Sequence, residues 1–202
     1  MRGSRDVDLG RTLLGGGALL LAMLGRERLE ARLLAHLFVQ FPLLLAAGAL
    51  LAGPRLPERL APWNRGGATG LALAAAILAF WMLPRVIDAS VGEGRWAFAK
   101  FVALPLAGAA LAWSLPLAPW LARQFLALHT IAMAGAMGWL YSALPERVCL
   151  RYLRSEQDEL GTALVIAAVA SFFLWLARVL WGPAGSPTIL RPGRPFPAEV
   201  SA

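Results

Sequence analysis

The chain has 202 residues, 58% of them hydrophobic and only 15% charged, with a formal net charge of +7. Soluble globular domains carry about 25% charged residues, so the long uncharged runs argue against a water-soluble core of ordinary kind. The positive charge is almost wholly arginine, Lys100 being the sole lysine, and it flanks the apolar runs, which points to lipid headgroups rather than nucleic acid.

A bilayer requires runs of about 20 apolar residues. Within hydrocarbon every backbone N–H and C=O must be paired inside the segment or across a closed barrel. Barrel strands alternate apolar and polar residues, whereas these runs are apolar on every face, so helices are expected. The reading is an all-α, polytopic membrane helix bundle of about six spans with short loops.

The first span is read over Thr12–Gly25, only 14 uncharged residues between Arg11 and Arg26. At 1.5 Å per residue this is about 21 Å, short of a hydrocarbon core of about 30 Å, so both arginines are expected to snorkel. Its Gly15-Gly16-Gly17 suits close helix packing. No small-residue cleavage site follows, so the segment reads as a span and not a leader. The second span covers Leu33–Gly53 and contains Pro42; the third covers Gly66–Leu83, with Gly66 and Gly70 in a GxxxG arrangement and Pro84 as a stop. The fourth covers Trp96–Leu117 with Pro105 inside, the fifth Leu121–Leu144 before Pro145, and the sixth Leu160–Trp181. Residues 183–202 hold five prolines and read as an extended, mobile tail. Short loops imply that consecutive spans are antiparallel neighbours. Ten basic residues fall on the N-terminal side and nine on the opposite side, so charge bias sets no orientation.

Polar side chains within spans are costly and mark candidate sites. His36 and Gln40, four residues apart, share a face at the start of span two. The topology brings them to the same end of the bundle as Trp81, Met82 and Asp88 and the acidic residues Glu156, Asp158 and Glu159. In span five, His129, Met133, Met137 and Tyr141 recur every four residues on one stripe. Imidazole and thioether suit copper, thioether favouring Cu(I), yet methionine also fills gaps between packed helices and a lone histidine can bond a neighbouring carbonyl. Cys149 is the only cysteine, which excludes an internal disulfide and a multi-thiolate metal site. No phosphate-binding loop, nucleophile elbow or HExxH motif is present, and no nucleophile–base pair is readable, so an enzyme is not expected. Axial haem ligation by His36 and His129 is disfavoured by a depth offset of roughly 8 Å.

Four ordered stretches resemble the CtaG-type cytochrome c oxidase assembly factors. They are His36-Leu-Phe-Val-Gln40-Phe-Pro42, Phe80-Trp81-Met82-Leu83-Pro84-Arg85-Val-Ile-Asp88, Leu128-His129-Thr-Ile-Ala-Met-Ala-Gly135 and Asp158-Glu-Leu-Gly161, and the likeness spans about Leu33 to Gly182. The family is richer in histidine, is longer, and often places histidine where Met82 stands. The resemblance implies a multi-pass accessory protein of a bacterial inner membrane that serves a terminal oxidase and handles copper. The tentative ligands are then His36 and His129, assisted by Met82, Met133 or Met137, with Gln40, Asp88 and Asp158 as further polar candidates. Two other readings stand beside it: a metal-free structural subunit of a larger membrane complex, and a small transporter or channel.

Overall fold

A computed structural model describes residues 2–144 and 149–181. The described residues are helical, with turns and short links between helices and no strand. In chain order they form α1 (Arg2–Leu24), α2 (Arg26–Glu30), α3 (Leu33–Leu51), α4 (Ala68–Trp81, entered through a 3₁₀ turn, Ala61–Gly67), α5 (Pro84–Gly92), α6 (Gly94–Ser114), α7 (Trp120–Ala143) and α8 (Arg154–Trp181). Five of these helices, α1, α3, α6, α7 and α8, are long and apolar enough to cross a membrane. A sixth candidate is the bent pair Ala61–Trp81 and Pro84–Gly92, which turns by 75°. Pro84 explains the bend. It removes a backbone donor and holds Leu83 extended, and it suits the first turn of a new helix.

Four hydroxyls within the long helices are satisfied locally. Thr12, Thr130, Ser142 and Thr162 each donate to the backbone carbonyl four residues earlier, which removes the cost of a polar group on an apolar helix. The outward surface is strongly apolar, with Leu24, Phe98, Phe125 and Trp181 among the most exposed side chains. The buried set includes Glu30, His36, Gln40, Lys100 and Gln157. The core is otherwise apolar, so these polar groups are a minority buried among hydrophobic side chains beneath an apolar outer surface.

Helix α6 is the hub, packing against α3, α4 and α5, while α1 packs on the other side of α3. Helices α7 and α8 form a hairpin that touches the rest through α4 and the first turn of α3. The α3/α6 crossing depends on two glycines. A Cβ on Gly48 would strike the backbone of Pro105, and one on Gly108 would strike the backbone of Leu45. The α7/α8 crossing repeats the device: a Cβ on Gly138 would lie 2.8 Å from the Gly161 carbonyl, and one on Gly161 would lie 2.8 Å from that of Gly138. Small residues let backbones approach where side-chain burial gives little drive for association.

Several details differ from the sequence reading. Helix α1 begins at Arg2, so its apolar stretch, Val7–Leu24, is 18 residues long, about 27 Å. Of its three consecutive glycines only Gly15 meets a neighbour, the Ala47–Leu51 turn of α3. In the Gly66/Gly70 pair, Gly66 serves a turn at φ 67° and touches nothing, whereas Gly67 and Gly70 face Ser114 of α6. Neither Pro42 nor Pro105 breaks its helix. Consecutive spans are main packing partners for α1/α3, α4/α6 and α7/α8, but α6 stands between α3 and α4. The proline-rich tail and Pro145 lie outside the described residues.

Candidate functional site

Polar side chains from α2, α3, α6 and the α7–α8 connection meet at one end of the bundle. The centre is the ammonium of Lys100, which is fully buried. Its Nζ donates to Glu30 Oε1 at 2.5 Å, Gln40 Oε1 at 2.9 Å and His36 Nε2 at 3.0 Å. An ammonium carries three protons, and all three are used.

The acceptors are equally committed. Arg26 Nε donates to both oxygens of the Glu30 carboxylate, at 3.2 and 3.0 Å. Gln40 Nε2 donates to the Ala22 carbonyl and to Glu30 Oε1. His36 Nδ1 lies 2.9 Å from the Tyr152 hydroxyl, which donates its one proton to the Glu30 backbone carbonyl. The tautomer follows. Tyr152 has no second proton to give, so His36 Nδ1 carries the hydrogen, and Nε2 offers its lone pair to Lys100. His36 is therefore neutral and hydrogen-bonded at both nitrogens.

Local structure explains why these groups converge. Pro42 has no N–H, and its ring cannot sit against the Phe38 carbonyl. The helix widens into a π-turn over His36–Gln40, closed by the bond from Phe41 N–H to the His36 carbonyl. Such turns inside α-helices are frequent at functional sites. Both ends of this one, His36 and Gln40, are fully buried and bond Lys100. Phe41 then packs edge-on against the His36 ring at 5.3 Å.

Tyr152 is delivered by a connection that is itself held. Asp88 of α5 accepts the amides of Leu150, at 2.5 Å, and Arg151. Gln157 of α8 accepts the Cys149 amide and donates to the carbonyls of Cys149 and Tyr152. Cys149 is buried between Tyr141 and the Pro84 carbonyl. Burial pushes its thiol up to about 12, and burial with the nearby Glu30 charge also raises the Tyr152 hydroxyl. Both groups stay protonated at neutral pH.

The residues singled out in the sequence separate into three places. His36 and Gln40 belong to the Lys100 network, and Asp88 pins the connection beside it. Met82, His129 and Met133 line a second feature, an apolar groove of about 80 Å³ between α4 and α7 that also includes Ala75, Leu78 and Thr130. His129 stacks on Phe125 there. The stripe continues downward into the core: Met137 and Tyr141 are buried among Leu33, Ile87, Cys149 and Leu160. Asp158 pairs with Arg154 at 2.9 Å, about half exposed. His36 and His129 thus have no surroundings in common.

Copper suits these two places differently. At His36 both ring nitrogens are occupied and a cation already sits on Nε2, so the residues there do not fit a copper ion while Lys100 is in place. In the groove, an imidazole and two thioethers are donor types that fit Cu(I). Among the described residues no three His, Cys, Asp or Glu side chains gather at a metal-sized site.

Four members of the network were not candidates on sequence grounds: Glu30, Lys100, Tyr152 and Gln157. One signal did exist for Lys100, the sole lysine, set within an apolar run. Tyr152 and Gln157 left none. No family model matches the chain, and neither a curated protein nor a solved structure matches it.

Proposed function

We propose that the protein is a multi-pass protein of a bacterial cytoplasmic membrane that acts without catalysis, as an accessory or assembly partner of a larger respiratory metalloenzyme such as cytochrome c oxidase. The observation that carries the non-catalytic role is the closure of the Lys100 network. Every donor of Lys100, the Glu30 carboxylate and both nitrogens of His36 are matched inside the protein, which leaves no group of this network poised for a reactant. The apolar exterior around that polar interior supports residence in a bilayer. The ordered likeness to CtaG-type factors supports an oxidase as partner. The test is affinity purification of the tagged chain from membranes in mild detergent, with oxidase activity measured in a deletion strain. Stoichiometric oxidase subunits and reduced oxidase activity are expected. A stable isolated chain with unchanged oxidase would reject the role.

A second reading is favoured by the groove that gathers Met82, His129 and Met133. In it the accessory role includes holding Cu(I), with His129 as the nitrogen donor and the thioethers completing a soft site. Cu(I) titration of purified protein should show one site lost in an H129A/M133A variant; equal uptake by wild type and variant would remove this reading.

A further inference from the structure

We propose that the chain holds one phospholipid with a phosphoethanolamine headgroup, at the edge of the bundle where α1, α2 and α6 meet. The surface there divides into a polar half and an apolar half, as the ligand does. The polar half is an open depression of about 450 Å³ whose lining includes Arg26, Glu27 and Glu30. The apolar half is a groove of about 320 Å³ whose lining includes Met23, Gly94, Phe98 and Phe101. Arg26 lines both and so marks their junction. The depth fits a lipid too. Arg26 follows just after the apolar stretch Val7–Leu24, and Gly94 opens the candidate span Gly94–Ser114. The polar half therefore lies at the ends of two candidate spans, where headgroups lie, while Met23, Phe98 and Phe101 belong to the spans themselves.

Charge complementarity selects the headgroup. Arg26 Nε is taken by the Glu30 carboxylate. Among the described residues nothing accepts from its two Nη groups, and a guanidinium fork matches the oxygens of a phosphate. Glu30 has no charge left to offer, because Arg26 and Lys100 already meet it. Glu27 differs: it is exposed and forms no ion pair among the described residues. An uncommitted guanidinium fork beside an uncommitted carboxylate fits a zwitterion, with the phosphate on Arg26 and the primary ammonium on Glu27. A trimethylammonium has no N–H to donate, and a glycerol headgroup has no cation, so neither answers Glu27 as well. The acyl chains cover Met23 and Phe98, both exposed. The proposal rests on the bilayer residence given above and is independent of any oxidase or metal.

The test is native mass spectrometry of the full chain in detergent, titrated with dioleoyl lipids of matched tails. Wild type is expected to hold one phosphatidylethanolamine, about threefold or more tighter than phosphatidylcholine or phosphatidylglycerol, as a rim ion pair allows. Diacylglycerol, without phosphate, and soluble phosphoethanolamine, without tails, should bind more weakly still. Arg26 stays unchanged, since its Nε also holds Glu30. E27Q should erase the preference for ethanolamine. G94L places a side chain in the groove from a position where a Cβ meets nothing within 4 Å. It should weaken every two-tailed lipid by a common factor and keep the preference, and F98A, which removes a groove wall, should do the same. The proposal is overturned if wild type binds phosphatidylcholine or phosphatidylglycerol as tightly as phosphatidylethanolamine, or if E27Q keeps the preference. Soluble phosphoethanolamine binding as tightly as the lipid, or G94L and F98A both binding like wild type, would also overturn it. Retention of the chain in membranes washed with alkaline carbonate tests bilayer residence separately, so loss of the lipid site is told apart from loss of that residence.

Discussion

Lys100 Nζ and His36 Nε2 stand 3.0 Å apart, a cation against a neutral imidazole, with Glu30 accepting from the same ammonium at 2.5 Å. The pair is therefore stable only as a trio, because the histidine supplies a lone pair and the carboxylate supplies the charge. Removing one charge from a buried pair costs about 3–5 kcal/mol, whereas replacing both with groups of similar shape is close to neutral. K100M should lower the melting temperature in detergent sharply, and E30Q/K100M should recover most of the loss. A double variant as unstable as the sum of its singles would show that the two residues act independently.

Tyr152→Phe removes only a hydroxyl, but that hydroxyl satisfies both His36 Nδ1 and the Glu30 carbonyl. Leaving two buried groups unpaired should cost about 1–3 kcal/mol. Thermal unfolding of the variant checks this. An unchanged midpoint would mean that water replaces the hydroxyl at no cost.

Gly108→Ala tests the α3/α6 crossing. The added methyl meets the Leu45 backbone, which no rotamer change can move away. Overpacking should destabilise by about 1–3 kcal/mol or more. Gly16→Ala, where nothing lies within 4 Å, should be silent or slightly stabilising through helix propensity.

Cys149 reports pH. Its pKa is raised from 9.0 to about 12, chiefly by burial. The raised value means that the folded state favours the protonated thiol. This contribution to stability is fully present below pH 9 and is lost as pH climbs towards about 12. Maleimide labelling of folded protein should be slow at pH 8 and keep accelerating beyond pH 9. Labelling of unfolded protein should level off near pH 9. Coincident profiles would place the thiol in solvent.

The apolar helices were legible because each announces itself over about 20 contiguous residues, a local signal. The site was legible in part. His36 and Gln40 stood out as polar groups within an apolar run, and Pro42 marked an irregularity, although the π-turn it creates depends on which carbonyls remain free. Lys100 is visible as the sole lysine but reads as one of the charges that flank the apolar runs, since sequence alone does not tell whether a residue near a helix start points outward or inward. Its partner Glu30 lies 70 residues away. Tyr152 and Gln157 had no local mark, because their roles come from a connection folded onto Asp88. The glycines that matter, Gly48 and Gly108, look in sequence like Gly16 and Gly17, which touch nothing.

The bond between His36 and Tyr152 joins positions 116 residues apart. A ribosome releases His36 long before it makes Tyr152, so Glu30, Gln40 and Lys100 can meet early while one imidazole nitrogen waits. Docking of the α7–α8 hairpin then acts as a latch that completes the assembly. A quality-control protease that samples unfinished bundles would find this end open until the last pair of helices had docked.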